Sequence, residues 1–296
     1  MRPHSLAVLG LGAIGGSVAW QARLAGVPSV IGYSPDRGDS VHALRAGALH
    51  DIADSAVRAV NGADLVVLAA PPRAILDLLG LIGPHLSPEA LVTDVASVKA
   101  PLLAKARECG LEERYAGSHP FTGTHLAGWP GARPDRFRGA IVYVTSTGAR
   151  GQRAAREVAN FWEVVMGAHP VLIDAAVHDA QLAWTSHLPQ AVASALSHLV
   201  GREPEIRGAA FGSGMRDTTR LAASPSNVWA DVFLMNQRPV VQALGRLEEA
   251  VAELRRLIER GDRASLQSYL EEAAAFRHRL EGDDRSQESS ESPGPG

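Results

Sequence analysis

The sequence has one cysteine, Cys109, and two lysines, Lys99 and Lys105, among its 296 residues. A lone cysteine excludes an intrachain disulfide framework and fits a reducing compartment. No apolar run reaches the ~20 residues needed to span a bilayer, and the start, Met1-Arg2-Pro3-His4-Ser5, lacks the shape of a secretory signal. The formal net charge is -3 with no block of either sign. Such a surface offers no concentrated basic face for phosphates, so nucleic acid is not an expected partner. These absences leave a cytoplasmic protein with a small-molecule substrate, without membrane partner and with no metal expected.

What is present is an ordinary globular composition, 46% hydrophobic and 21% charged, long enough for two domains. The first half alternates short apolar runs with helical patterns. Leu6–Leu9, Ser29–Tyr33, Ala63–Ala69, Leu91–Asp94, Tyr115–Ser118, Ala140–Thr145 and Val171–Asp174 read as strands. Near-continuous apolar strands separated by helices predict a parallel sheet covered on both faces. After residue 174 the pattern is helical. His178–Gly201 reads as one long stretch bent near Pro189, Val228–Glu259 as a second, and Ala264–Leu280 as a third. Val240, Leu244, Leu247, Val251, Leu254 and Ile258 form a heptad-like stripe suited to a bundle core, or in part to a dimer interface. The tail, rich in Ser, Glu, Gly and Pro, cannot bury enough apolar surface to order itself. The expected division is 1–174, 175–281 and a disordered tail, 282–296.

Gly10-Leu11-Gly12-Ala13-Ile14-Gly15 matches G-x-G-x-x-G, follows a strand and opens a helix. In that context it is a dinucleotide-binding turn. Gly10 allows the tight turn, Gly12 lets backbone approach a pyrophosphate, and Gly15 lets helix pack on strand. The helix N-terminus presents free N–H groups to the phosphates. Candidate cofactor contacts are Gly10, Gly12, Ala13, Ile14 and Gly15, then Ser34 and Arg37 at the end of the second strand, and Ala70 and Pro71 after the 63–69 strand. The acid that usually binds the ribose 2′-hydroxyl is replaced by Ser34. With Arg37 close by, the residues lean slightly to NADP, while Asp36 keeps NAD open.

Asp94-Val95-Ala96-Ser97-Val98-Lys99 and Gly117-Ser118-His119-Pro120-Phe121-Thr122-Gly123-Thr124 both end strands. The carboxyl ends of strands are where open α/β sheets bind ligands, so Ser97 and His119 can face a nicotinamide from neighbouring loops. A histidine there can accept a hydroxyl proton as hydride leaves. In the helical half, Gly212-Ser213-Gly214-Met215-Arg216-Asp217-Thr218-Thr219-Arg220 places two arginines and an aspartate beside glycines. Arg220 could grip a carboxylate with two prongs.

Taken in order, residues 10–17, 94–99, 119–123, 186–189 (Ser-His-Leu-Pro) and 216–220 (Arg-Asp-x-Thr-Arg) resemble the prephenate/arogenate dehydrogenase family over roughly residues 5 to 260. The resemblance implies a Rossmann domain followed by an all-helical dimerisation domain, and hence a homodimer. It implies oxidative decarboxylation of a cyclohexadienol with hydride transfer to NAD or NADP. His119 would accept the ring-hydroxyl proton, Ser97 would bind the same hydroxyl and help orient His119, and Arg220 would bind a substrate carboxylate. His187 would line the pocket, and Arg216, Asp217 and Trp229 would lie near the active site, in part across the dimer. Many prephenate-specific members carry a second histidine where this chain has Gln190, which leaves prephenate and arogenate both open. No appended regulatory domain is expected after residue 281.

Two other readings fit parts of the sequence. A β-hydroxyacid dehydrogenase shares the plan but generally uses a lysine early in the helical domain, and His178–Val200 contains none. A non-catalytic nicotinamide-binding sensor would keep the glycine turn without needing Ser97, His119 and Arg220 together.

Overall fold

Eight stretches form one sheet: β1 (Ser5–Leu9), β2 (Ser29–Tyr33), β3 (Asp51–Ile52), β4 (Leu65–Leu68), β5 (Leu91–Asp94), β6 (Tyr115–Pro120), β7 (Ile141–Ser146) and β8 (His169–Leu172). The computed structural model describes residues 2–122, 126 and 128–290, with side chains to 280; Gly123 and Thr124 of the histidine motif and residues 291–296 lie outside the described residues. The strand order is β3-β2-β1-β4-β5-β6-β7-β8. All neighbours are parallel except β6 and β7. The exception has a covalent reason. Among the described residues no α-helix lies between β6 and β7, and the chain folds back, whereas a 13-residue helix separates β7 from β8.

Helices α1 (Ala13–Leu24), α2 (Arg37–Arg45), α3 (Ala56–Val60), α4 (Pro72–Ile82), α5 (Ala100–Glu108) and α6 (Gln152–Val164) cover the sheet. The pleat divides each strand between two cores. Leu6 and Val8 of β1 pack in one cluster with Val18 and Trp162, while Ala7 and Leu9 pack in another with Ile75, Leu79 and Leu102. Strand order reverses beside β1, whose neighbours are β2 and β4. The crevice at the carboxyl ends of β1 and β4 is therefore the topological switch point at which such sheets bind ligands.

The helical half consists of α7 (Ala175–Leu182), α8 (Leu188–Val200), α9 (Ser213–Thr219), α10 (Ser226–Met235), α11 (Gln237–Arg260) and α12 (Arg263–Ser290). The stretch expected to be one bent helix is interrupted by a π turn at Ala183–His187. Pro189, in the first turn of α8, cannot donate to the carbonyl four residues back, and the wider turn precedes it. The second expected helix breaks at Asn236, three residues before Pro239. The two-residue β3 has no apolar run to mark it and was not expected. Helix α12 runs from Arg263 to Ser290. By packing the chain divides into Met1–Val240 and Val241–Gly296, so the first unit holds the sheet and α7 to α10.

Candidate functional site

The glycine turn leaves β1 with Gly10 at φ 98°, and a Cβ there would lie 2.2 Å from the Ala69 carbonyl oxygen. A Cβ at Gly15 would lie 1.9 Å from the Gly10 oxygen, so strand, turn and helix approach to distances that only glycine permits. At Gly12 a Cβ would meet nothing closer than 3.7 Å, and this residue begins α1 without a side-chain cap, leaving the N–H groups of the first turn free. A cleft of about 780 Å³ opens over this turn, lined by Gly10, Gly12, Ser34, Ala70 and Pro71 among others. These features fit a dinucleotide. Gly15 sits behind the turn, and Arg37 is exposed in the first turn of α2. Asp36 is spent on capping α2, accepting from Gly38 N at 2.8 Å. Asp39, which the sequence reading passed over, lines the cleft and accepts from Trp129 N at 2.9 Å.

A second cavity of about 460 Å³ shares Gly12, Ala69, Ala70 and Pro71 with the first and adds Ala13, Ile14, Ser97 and His119. The two loops expected to meet therefore do meet. His119 Nδ1 lies 2.9 Å from His178 Nε2, and His178 Nδ1 lies 2.8 Å from Asp179 Oδ1. The Asp179 carboxylate also accepts from Lys99 N and Ala100 N, each at 2.8 Å. This order of bonds fixes the tautomers. A carboxylate only accepts, so His178 carries its proton on Nδ1 and accepts at Nε2. His119 then donates from Nδ1 and keeps a lone pair on Nε2. Burial, and then the nearby His178, Lys99 and His187, hold the His119 pKa well below the ordinary histidine value, so the ring stays neutral. Among the described residues, Ser97 makes no hydrogen bond to His119.

Beneath His119 lies a fully buried ion pair. Lys99 Nζ bonds Asp94 Oδ1 and donates to the Ser118 carbonyl at 2.7 Å. Tyr115 donates to Asp94 Oδ2 at 2.5 Å, and Ala96 N donates to Oδ1 at 2.8 Å. Losing one partner of such a pair costs about 3–5 kcal/mol, because the other charge is left buried alone. The cluster thus ties the Ser97 loop to the strand that carries His119.

In the helical half, Asn236 Nδ2 donates to the Asp179 carbonyl at 2.8 Å and to His187 Nδ1 at 3.0 Å. Trp229 stands edge-on to the His187 ring, centroids 5.9 Å apart. Burial pushes the His187 pKa down to about 4. Gln190 Nε2 donates to the Leu221 carbonyl at 2.9 Å, pinning the turn that begins at Arg220 onto α8. Arg216, Asp217 and Arg220 themselves are exposed, and none lines either cavity. Sequence reasoning missed His178, Asp179 and Asn236. The available signal for His178 and Asp179 was a pair of titratable residues on a helix otherwise made of Ala, Val and Leu with one Gln. Among the described residues no group of three His, Cys, Asp or Glu side chains could hold a metal, and no helix is long and apolar enough to cross a membrane.

The nucleotide-binding domain of prephenate dehydrogenase matches residues 18–172, and the dimerization domain of the same enzyme matches residues 174–272. The chain belongs to the prephenate dehydrogenase family. Within it, the cyclohexadienyl dehydrogenase of Zymomonas mobilis is 31% identical, over 94% of this chain and 96% of that protein. The prephenate dehydrogenase of Bacillus subtilis is 29% identical, over 93% of this chain and 76% of that protein. The crystal structure of prephenate dehydrogenase from A. aeolicus with hydroxyphenyl propionate and NAD+ superposes with TM-score 0.86 at 29% identity, covering 93% of this chain and 98% of that one. Synechocystis arogenate dehydrogenase superposes at 0.78 with 28% identity, over 93% and 99%. A 3-hydroxyisobutyrate dehydrogenase of Mycobacterium tuberculosis, 18% identical at TM-score 0.53 over 80% and 87%, shares the fold alone.

Proposed function

We propose that this chain carries out the oxidative decarboxylation of a cyclohexadienol, prephenate or arogenate, in tyrosine biosynthesis. It is an NAD(P)-dependent dehydrogenase of the family just named. The observation that carries the reading is Ser97 and His119 on one cavity wall, continuous with the nucleotide cleft, with the His119 Nε2 lone pair unpartnered among the described residues.

When bound, the nicotinamide supplies the acceptor for the hydride leaving the carbinol carbon. His119 Nε2 takes the proton of that carbon's hydroxyl, and the Asp179–His178 pair stabilises the charge that develops on His119. Ser97 holds the same hydroxyl. The ring carboxylate departs as carbon dioxide, its bonding electrons entering the ring, and aromatisation makes the step downhill. Arg220 takes a substrate carboxylate, with His187, Gln190, Arg216, Asp217 and Trp229 around it, in part from a second copy. The homodimer is supported by the dimerization-domain match and by Val251, Ile258, Leu270 and Phe276, which are 57%, 59%, 53% and 55% exposed in one chain. The functional boundary is taken at residue 174, where the two family matches abut. A cytoplasmic location accords with the free Cys109.

Between the two nicotinamides, the lean of the sequence is reversed. Arg37 stays out of the cleft while the Asp39 carboxylate lines it, and an acid there suits a ribose hydroxyl and repels a 2′-phosphate. The test is a two-by-two assay of the purified chain: prephenate or arogenate, each with NAD+ or NADP+. Turnover with NAD+ faster than with NADP+ is expected. Four empty cells with nicotinamide binding intact would return the sensor reading.

A further inference from the structure

A third cavity, of about 540 Å³, shares no lining residue with the nucleotide cleft or the His119 cavity. Its place follows from the topology. β7 runs against β6, with Ser146 beside Ala116 and Val142 beside Pro120, and β8 runs parallel to β7. The ends of β7 and β8 at Ser146 and Leu172, which line the cavity, therefore lie at the opposite end of the sheet from His119. Leu103, Val144 and Ala155 are buried and give it an apolar floor, while Leu172, 54% exposed, stands at its mouth.

Two opposite charges line this cavity, Arg107 of α5 and Asp174 at the start of α7. Each is held from behind by backbone. Arg107 donates to the Thr147 carbonyl from Nε at 3.0 Å and from Nη2 at 2.7 Å. Asp174 Oδ1 accepts from Ala176 N at 2.8 Å and from Val177 N at 3.1 Å. Among the described residues Arg107 Nη1 and Asp174 Oδ2 have no partner, and neither side chain enters an ion pair. The other polar side chains of the lining are Ser146 and Gln152. Gln152 Nε2 donates to Ser146 Oγ at 3.0 Å, which leaves the serine proton to give. A cation and an anion of fixed direction, sharing one cavity without pairing, complement a ligand that carries both charges. We propose that this cavity binds a free α-amino acid with an apolar or aromatic side chain. Arg107 takes the α-carboxylate, Asp174 Oδ2 takes the α-ammonium, and the side chain lies on Leu103 and Val144. The volume suits such a guest, since small-molecule sites run from roughly 300 to 1,000 Å³. The site does not depend on the reaction proposed above, yet it reaches the same helix. Asp174 caps α7, and its carbonyl accepts from His178 N at 2.8 Å, so one helical turn joins the ammonium position to the residue behind His119.

The test is calorimetric titration of the full chain with L-phenylalanine. This probe lacks the ring hydroxyl that Ser97 and His119 are proposed to hold, which disfavours the substrate site. Saturable binding is expected, with 3-phenylpropionate and 2-phenylethylamine, each lacking one charge, at least ~10-fold weaker. Asp174→Asn removes the charge and keeps the helix cap, because asparagine caps as well as aspartate; affinity should fall about tenfold. Ala149→Trp, at an exposed position of the lining, should block the cavity, and Arg220→Ala should leave binding intact. Absence of binding to the wild type would overturn the site. So would equal binding of 3-phenylpropionate, or a loss that follows Arg220→Ala and spares Asp174→Asn and Ala149→Trp.

Discussion

His119 and Arg220 come from motifs of similar length, yet the fold treats them in opposite ways. His119 is fixed from behind: Asp179 orients His178, His178 holds Nδ1, and the Lys99–Asp94 pair anchors the preceding carbonyl. Arg220 is exposed, between a helix begun by Gly212 and the turn that Gln190 pins, and a Cβ at Gly212 or Gly214 would meet nothing within 4 Å. A group that takes a proton needs its tautomer and direction set before substrate arrives. A group that meets a full charge can be ordered by that charge, or by a second copy of the chain. The largest effect should fall where the chain has invested most. His119→Asn should lower kcat by roughly 10³–10⁴ while NAD+ affinity, followed by fluorescence titration, is kept. Near wild-type turnover would take His119 out of the chemistry.

Asp179→Asn separates placement from chemistry. The amide can donate to His178, which then presents the wrong tautomer to His119, and kcat should fall by about 10²-fold or more with KM little changed. An unchanged kcat would reduce the pair to packing. Arg220→Ala probes the other side. Its effect should lie in KM, roughly 10- to 100-fold for one lost charge-assisted contact to a carboxylate. An effect on kcat alone would mean that Arg220 is as preorganised as His119.

The same contrast explains what could be read from the sequence. The glycine turn, the strand ends and the Ser97 and His119 loops were legible because each is a local pattern with a local physical cause, an apolar run stopped by glycine or proline. His178 and Asp179 were not, because a histidine and an aspartate in a helix acquire meaning only when α7 is laid against the ends of β5 and β6. Asp36 and Asp39 show the same limit from the other direction. Proximity to the strand tip favoured Asp36, but it is consumed as a helix cap, and Asp39, one turn later, faces the cleft. The break at Asn236 was hidden because that residue turns inward to His187 and Asp179 instead of ending a pattern.

The smallest expected effect concerns charge without contact. In the proposed reaction His119 must be unprotonated to act, so activity should be lost as pH falls through its pKa. Because that value is depressed, the acid limb of kcat/KM should lie below 6.5, the ordinary histidine value. Burial is the first cause, His178 the second and the Lys99 ammonium the third. Removing a positive charge makes the imidazolium easier to form. Lys99→Met should therefore move the limb upward but short of the ordinary value, since burial and His178 remain. The variant also strands Asp94, so denaturant melts should show a loss of about 3–5 kcal/mol, and the profile must be taken where the protein is folded. A limb that stays in place while stability drops would make Lys99 a strut for the Ser118 carbonyl. A limb that moves would show that the ion pair beneath His119 also sets the pH range in which the base can work.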